Sequence, residues 1–572
     1  MYLRVTARKN KDGSTVRYLQ LAHNEWDAVA GISRPKVVYN FGREDRLDRA
    51  AVNRLIASLS RVVEPAALLA APAPAELEFR QSRPMGGAYV LDGLWRRLSI
   101  GKIMAGLAAG RRLDARVERV LFALVANRAL KASSKLAAAG WVCHDAHIPG
   151  LGEVDEDACY RAMDWLLEIE NELAQEVFWQ VATLLDLDVD LVFFDSTSTY
   201  WQRDAADEPV ARDEWGVPVA PETPEAVRMG GFRTWGHSKD HREDRPQIVI
   251  GMAVTRGGIP IRCWCWPGNT ADVIMIEQVR ADLRDWRLSR MVWVTDRGFA
   301  SEHHRRVLRT GGGHYIQAEK LRHATGEVAS ALARPGRYRT VAGNLRVKQV
   351  NPRAGDSVLV DRFIVCHNPE QAARDAEVRE QMLTQLSTLI EKSDRLSERK
   401  RAEMRGRIST MPGLNRYLRM TPGGLLRLDQ AAITAEERLD GKWLLRCSDP
   451  TLSPEDIATG YKQLLEVERG WREMKQIIDL RPVHHRKEER IRAHVVLCWL
   501  ALLLIRVIET TTGDTWTRVR GELERLHLGT FTGLAGTFRQ RTEITTAQHA
   551  ILAKLDLPHP AKIVELSPSA TA

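Results

Sequence analysis

Cysteine is scarce in this sequence. Its seven copies (Cys143, Cys159, Cys263, Cys265, Cys366, Cys447, Cys498) are odd in number and contain no CxxC pair. That excludes a disulfide framework or a zinc ribbon as the organising device and fits a reducing cytoplasm. Long apolar runs are missing too. The most apolar stretch, Val495 to Ile505, is closed by Arg506 after about 11 residues, whereas a bilayer span takes about 20. It reads as a buried core helix, and no membrane partner is expected. The opening residues, MYLRVTARKNKDG, lack the apolar core of a signal peptide. No GxxxxGK[ST] loop exists to cradle a nucleotide, so no nucleotide cofactor is expected. HExxH is absent, and Cys143-His144 with His147, His303-His304 and His484-His485 lack a matching second pair at zinc-ligand spacing.

What is present is ordinary for a folded protein: 44% hydrophobic and 27% charged residues. At 572 residues the chain is too long for one core, and roughly three to five domains are expected. Lysine and arginine number 83 against 74 acids, a formal charge of +9. This excess suits a polyanionic partner, because basic side chains displace counterions from phosphate. Many enzymes share such a balance, so charge by itself does not decide.

Along the chain, Tyr2–Ala7, Thr15–Ala22 and Lys36–Phe41 alternate like strands around a turn at Asn10–Ser14, and Ala50–Val63 is helical. Residues 1–63 thus form a small β/α unit decorated by Arg4, Arg8, Lys9, Lys11 and Arg17, either a solvated face or a DNA contact. Residues 64–85, rich in Ala and Pro, read as a linker. Helical spacing fills 86–186.

LVFFD then ends in Asp195, and a Trp-rich loop runs from Tyr200 to Arg245. A hairpin follows, QIVIGMAVTR and IPIRCWCWPGN about the turn Gly257-Gly258. After it come a helix (Thr270–Trp286), a strand (Met291–Thr295) ending at Asp296, a helix (Glu302–Arg309) and a strand (His314–Ala318). The order strand, hairpin, helix, strand, helix, strand predicts an α/β, RNase H-like catalytic core, a mixed sheet with flanking helices. Residues 187–318 would supply its first part and 451–510 its second. Between them, 319–450 reads as an insertion domain with strands at Leu345–Val350, Ser357–Val365 and Lys442–Arg446 and one polar helix, Glu370–Ile408. Residues 511–572 are a mixed C-terminal segment with a helix at Thr546–Lys554 and a disordered tail.

Asp195 and Asp296 each close an apolar strand, where side chains reach the ligand-binding edge of an open sheet. A carboxylate beside FF or VWV is costly without compensation, and a hard divalent cation, Mg²⁺ or Mn²⁺, would provide it. A lone aspartate after a strand is ordinarily a turn cap; two in this topology favour the metal. In GYKQLLEVERGWREMKQI, Tyr461, Glu468 and Lys475 recur every seventh residue and form one helical stripe. An ordinary amphipathic helix explains Leu464, Leu465, Val467 and Trp471 but has no use for a glutamate between them.

The stripe resembles the motif Y-x2-R-x3-E-x6-K of bacterial insertion-sequence transposases of the DDE, RNase H-like class, with Tyr461, Glu468 and Lys475 at matching places. VTDRGFAS around Asp296, GHSKDHREDRPQ, PGNTAD, RPVHHRKEERIRAH and the insertion before the glutamate resemble that group as well. The likeness covers about 188–509. The motif's arginine is Leu464 here, which removes an expected phosphate contact; of Arg469 and Arg472, only Arg472 lies near the stripe.

The resemblance implies a DNA transposase in which Asp195, Asp296 and Glu468 hold two Mg²⁺ (or Mn²⁺) ions for DNA cleavage and strand transfer, with the 3′-OH attacking target DNA. It also implies DNA-backbone contacts from Tyr461, Lys475 and Arg472, terminal inverted repeats and target DNA as partners, and at least a homodimer in the DNA complex. The N-terminal unit and the helical region would read the element ends, and exposed Trp in the Tyr200–Trp235 loop would stack on unpaired bases. The alternatives are a metal-dependent nuclease of the same fold that never joins DNA, and a transposase-derived DNA-binding protein without catalysis.

Overall fold

A computed structural model describes residues 2–568 except 10–14, 28–30, 64–77, 188–189, 285, 287–290, 323, 325, 351–360, 482, 484 and 534–535. The expected Asn10–Ser14 turn, most of the linker, the start of the Ser357–Val365 strand and residues 569–572 lie outside the described residues. The chain divides into two compact units. One comprises Met1–Pro84, Leu526–Thr545 and His559–Ala572, the other Met85–Arg525 and Thr546–Pro558.

In the first unit, β1 (Tyr2–Lys9), β2 (Thr15–Asp27) and β3 (Ile32–Arg43) form an antiparallel sheet followed by helix α1 (Arg49–Val63). The alternation visible in the sequence is what lets the strands pair, yet Leu3, Val5, Val38 and Tyr39 remain exposed. β4 (Glu78–Pro84) starts a second sheet in this unit.

The second unit opens with six helices, α2 (Gly86–Arg97), α3 (Ile100–Leu107), α4 (Val117–Leu130), α5 (Lys135–His144), α6 (Glu156–Glu168) and α7 (Glu170–Leu185). Then comes β5 (Leu191–Tyr200). It runs five residues beyond Asp195, which the sequence placed at its end. The polar tail Ser196–Tyr200 stays extended because β8 (Gln247–Thr255) pairs with it from Asp195↔Met252 to Tyr200↔Gln247. Between them a two-stranded ribbon, β6 (Val210–Arg212) and β7 (Arg228–Gly230), organises the long loop. β9 (Pro260–Pro267) completes the hairpin, whose turn uses Gly258 at φ +76°, a conformation costly for side chains other than glycine.

Helix α8 (Asp272–Arg284), β10 (Val292–Thr295), α9 (Glu302–Arg309) and β11 (His314–Ala318) follow in the expected order. Next are α10 (Gly326–Ala333), β12 (Arg339–Ala342), β13 (Leu345–Val350) and β14 (Arg362–His367). The expected single polar helix is two, α11 (Pro369–Ile390) and α12 (Glu398–Ser409), because Ser393, fully buried, turns the chain between them. With α13 (Pro412–Asn415), the ribbon β15 (Leu418–Met420)–β16 (Leu426–Leu428) and α14 (Gln430–Glu437), they enclose a small core of Leu386, Ile408, Leu414, Tyr417 and Ile433. β17 (Lys442–Cys447) then returns to the main sheet.

That sheet has nine strands in the order β12-β13-β14-β17-β11-β10-β5-β8-β9. β10 runs parallel to both β5 and β11, and the remaining pairs are antiparallel. β12, β13, β14 and β17 therefore extend the same sheet that carries the two aspartates. Beyond it lie α15 (Pro454–Lys462), α16 (Leu465–Gln476), α17 (Glu488–Thr512), α18 (Trp516–Leu523) and, from the later segment, α19 (Thr546–Lys554).

Helix α17 is long and apolar enough to cross a membrane, but 94% of its apolar window is buried inside the protein. It packs on α4, α6 and β9. Each Leu, Ile or Val it buries contributes roughly 1.5–3 kcal/mol. Its buried Arg506 meets Glu473 at 3.1 Å and Glu509 at 3.3 Å, so the charge does not go uncompensated.

In the first unit, β18 (His527–Gly533), β19 (Gly536–Arg541) and β20 (Ile563–Pro568) join β4 in an antiparallel sheet of order β20-β19-β18-β4. β4 joins this sheet through β18, more than 400 positions away in sequence, while β20, at the start of what was expected to be a disordered tail, pairs with the nearby β19. All seven cysteines are free.

Candidate active site

The register of β5 against β10 sets the site. Phe194 pairs with Thr295 in parallel, and strands in a sheet lie about 4.8 Å apart. Asp195 and Asp296 are the next residues on each strand, so the two carboxylates leave the sheet side by side. There β10 stops while β5 continues.

The loop after Asp296 is pinned from below. Phe299 is buried and packs edge-on against Phe194, with centroids 5.7 Å apart. The Phe299 carbonyl sits 2.6 Å from His304 Nδ1, and Gln317 Nε2 donates to Thr295 Oγ1 at 3.0 Å. The two aspartates are thus held by the aromatic pair beneath them.

Asp195 is not left unpaired. Lys239 Nζ lies 3.2 Å from its Oδ1 and also donates to the Ser196 carbonyl. The Lys239 amide donates to Ser198 Oγ at 2.9 Å. Two close backbone approaches deliver this lysine. Thr234 bridges to Gln247, and a Cβ on Gly236 would come within 2.0 Å of the Gly268 carbonyl. Gly236 of GHSKD and Gly268 of PGN therefore allow the loop to press onto the β8–β9 ends, which explains two blocks that the sequence marks only by likeness.

Tyr461 donates to Asp296 Oδ1 at 3.1 Å. Burial, then the charges of Asp296 and Glu468, raises its pKa, so the phenol remains a proton donor. Fourteen residues on, Lys475 Nζ donates to Thr197 Oγ1 at 3.0 Å and meets Asp240 at 3.4 Å. Asp240 also accepts from Arg481 at 2.7 Å. Burial, outweighing Asp240, lowers the Lys475 pKa.

The expected continuous helix is interrupted between Tyr461 and Glu468. α15 ends at Lys462, and the chain tightens through Gln463 and Leu464, with Leu464 N bonded to Tyr461 O at 3.1 Å and Val467 N to Leu464 O at 3.1 Å. The stripe nonetheless reaches β10 through Tyr461 and β5 through Lys475. Glu468 lies between them in sequence, exposed.

The structure brings Asp195 and Asp296 together and ties Tyr461 and Lys475 to the same strands. Among the described residues, no group of three His, Cys, Asp or Glu side chains is gathered closely enough to hold a metal ion, so Glu468 does not close a ligand set here. Arg472 is exposed on α16. Arg469 is engaged by Glu473 at 3.0 Å and Glu509 at 2.7 Å, which removes it as a stand-in for the arginine missing at Leu464. Trp235 of the long loop is exposed, as stacking on bases would require, while Trp201 lies under the Arg233 guanidinium.

Lys239, Asp240 and Thr197 are site residues that sequence reasoning missed. Lys239 lies 44 positions from Asp195 in a loop without periodicity, and only its membership of the GHSKDHREDRPQ block marked it.

Paired carboxylates at the open end of a mixed sheet, with a lysine and a tyrosine compensating them, define an α/β protein built to hold acids at a solvent-facing edge. Comparison with known proteins says which. Residues 190–504 match the transposase DDE domain, and residues 3–70 match the IS1634 family transposase N-terminal domain. The first match spans more than half of the 572 residues, and the chain belongs to that family: it is an insertion-sequence DDE transposase. The cryo-EM structure of a piggyBac transposase synaptic complex with hairpin DNA is 9% identical. The alignment covers 82% of this chain and 78% of that one with a TM-score of 0.31, too loose a superposition to define a shared fold. No curated protein matches the sequence.

Proposed function

We propose that this transposase cuts DNA at the ends of its insertion sequence and joins them to target DNA by two-metal phosphoryl transfer, with Asp195, Asp296 and Glu468 as the catalytic acids. The adjacency of Asp195 and Asp296, fixed by the Phe194↔Thr295 register, carries the reading. Residues 187–318 and 451–510 form its RNase H-like core, and 319–450 its insertion. The sheet order β9-β8-β5-β10-β11, with a hairpin leading into parallel strands, supports that assignment.

The residues fit hard divalent cations. Their donors are carboxylate oxygens, and the Lys239 ammonium at 3.2 Å already matches the Asp195 charge as a cation would. Asp195 and Asp296 would hold Mg²⁺ or Mn²⁺, with Glu468 supplying the third carboxylate. When bound, the ions would polarise the attacking and leaving oxygens of an in-line displacement.

The chain's own groups do the positioning. Tyr461 orients Asp296 through its hydroxyl. Lys475, braced between Thr197 and Asp240, presents positive charge at the edge where a DNA phosphate would approach, and Arg472 extends it. Lys239 compensates the Asp195 carboxylate at the edge that would hold the cation.

Cleavage and joining assays on element-end DNA with Mg²⁺ test the proposal. Asp195→Asn, Asp296→Asn and Glu468→Gln should each abolish both products while leaving folding intact. Cleavage at the wild-type rate in any one of them removes that residue from the catalytic set. Wild-type cleavage without joined product would leave a nuclease.

A further inference from the structure

Away from the acid site, a cavity of about 160 Å³ lies among α4, α5, α6 and α17, lined by Arg128, Ser134, Lys135, Tyr160, His485 and His494. Arg128 and Lys135 are each only 3% exposed. Arg128 gives its guanidinium to main-chain carbonyls, those of Ser133, Ile478 (3.4 Å) and Asp479 (3.2 Å), and its Nε has no partner among the described residues.

No hydrogen bond or ion pair satisfies the Lys135 ammonium among the described residues, and the groups that bear on it are Arg128, Cys498 and Cys159 rather than a carboxylate. Two acids, Glu156 and Asp479, also line the cavity, at partly or fully exposed positions.

Two buried cations on one small cavity are costly unless an anion meets them. The third element of the wall is the cap and first turn of α5, a ten-residue helix whose N-cap is Ser134. Unpaired amides at such an end favour a negative ligand. About 10–15 Å³ is enough for one water, so the space admits a tetrahedral oxyanion. Guanidinium, ammonium, hydroxyl and helix-end donors together are the chemistry that recognises phosphate.

We propose that this cavity binds a phosphate group, either of a DNA backbone or of free inorganic phosphate. Burial and the Arg128 charge push the Lys135 amine down to about 7, as expected of an ammonium lacking its counter-anion. The reading of the acid site is not required for this proposal, since its readout is phosphate binding and not cleavage.

Thermal unfolding of the full chain, in phosphate against chloride at equal ionic strength and pH 7, provides the test. Phosphate should raise the wild-type Tm by about 2 °C or more. Lys135→Met and Lys135→Gln, which are unbranched at Cβ and one atom shorter than lysine, should lose that gain.

Binding of a short random-sequence duplex separates the two sources. If the site takes backbone phosphate, both variants bind the duplex more weakly, with a salt dependence shallower by about one phosphate contact, and inorganic phosphate competes. If it takes free phosphate, duplex binding is unchanged while the Tm gain is lost. The proposal is overturned if phosphate stabilises the wild type no more than chloride does and the variants bind duplex like the wild type.

Discussion

The hydroxyl of Tyr461 donates to Oδ1 of Asp296 across 3.1 Å, joining α15, the helix just before the one that carries Glu468, to the strand end that carries the second aspartate. Residues 165 positions apart are thereby fixed at one sheet edge, and Tyr461 acts on the acid itself before it could act on DNA.

Tyr461→Phe keeps the ring and removes this donor. A hydrogen bond to a charged group is worth about 1.5–3 kcal/mol, so single-turnover cleavage of element-end DNA should fall roughly 10- to 100-fold. Melting temperature should change little. An unchanged cleavage rate would show that Asp296 needs no such orientation.

On the proposed role of Asp195, Lys239 and a divalent cation would compete for its carboxylate. Lys239→Ala should therefore tighten Mn²⁺ binding in the absence of DNA. The lysine is largely exposed, and such ion pairs are weak, so the gain should be about 2- to 5-fold. Electron paramagnetic resonance titration of free Mn²⁺ measures it. Weaker binding in the variant would mean that Lys239 assists the ion.

The long loop that delivers Lys239 is anchored by Arg212, which meets Glu488 at the start of α17 through two bonds of 2.9 and 3.1 Å and is 2% exposed. Glu488→Ala leaves a buried guanidinium without its carboxylate and should cost about 3–5 kcal/mol. Arg212→Met combined with Glu488→Leu should cost much less. Denaturant unfolding of the three proteins decides; equal losses in single and double variants would rule out the pair as the anchor.

Lys135 makes stability depend on pH in a defined direction. Its folded pKa is lowered to about 7 from the ordinary 10.5 of a lysine, so between those limits the unfolded chain binds more protons than the folded one. Stability then rises with pH across that window and is flat, for this group, below it. In phosphate-free buffer the wild type should gain on the order of a few kcal/mol relative to Lys135→Met between pH 7 and pH 10. Parallel stability curves for the two proteins would contradict this.

Much of the fold was legible because its signals are local. The buried runs around Phe193 and Val294, the hairpin at Gly258 and the apolar stretch of α17 each declare themselves within a dozen residues. The expected sequence of strands and helices from β5 to β11 is the order found. The acids stood out for a similar reason: a carboxylate directly after an apolar strand calls for compensation wherever it occurs.

Other features had no local signal. Ser196–Tyr200 is polar and lies past the expected strand end at Asp195, yet it is strand because β8 offers its backbone a full row of partners. β4 pairs with β18, more than 400 residues later. Lys239 faces Asp195 because two glycines let distant backbones touch. The break after Lys462 arises where the chain tightens between two packed helices.

The sequence by itself determined which residues must be buried, which segments could be helix or strand, and that Asp195 and Asp296 leave apolar strands, since these follow from side-chain chemistry and short-range periodicity. Only the tertiary structure decided that the two aspartates stand side by side, that Lys239 and Tyr461 are their partners, and that two cations share a buried cavity. Those relations depend on strand register and on contacts between residues far apart in the chain, and no local pattern encodes them.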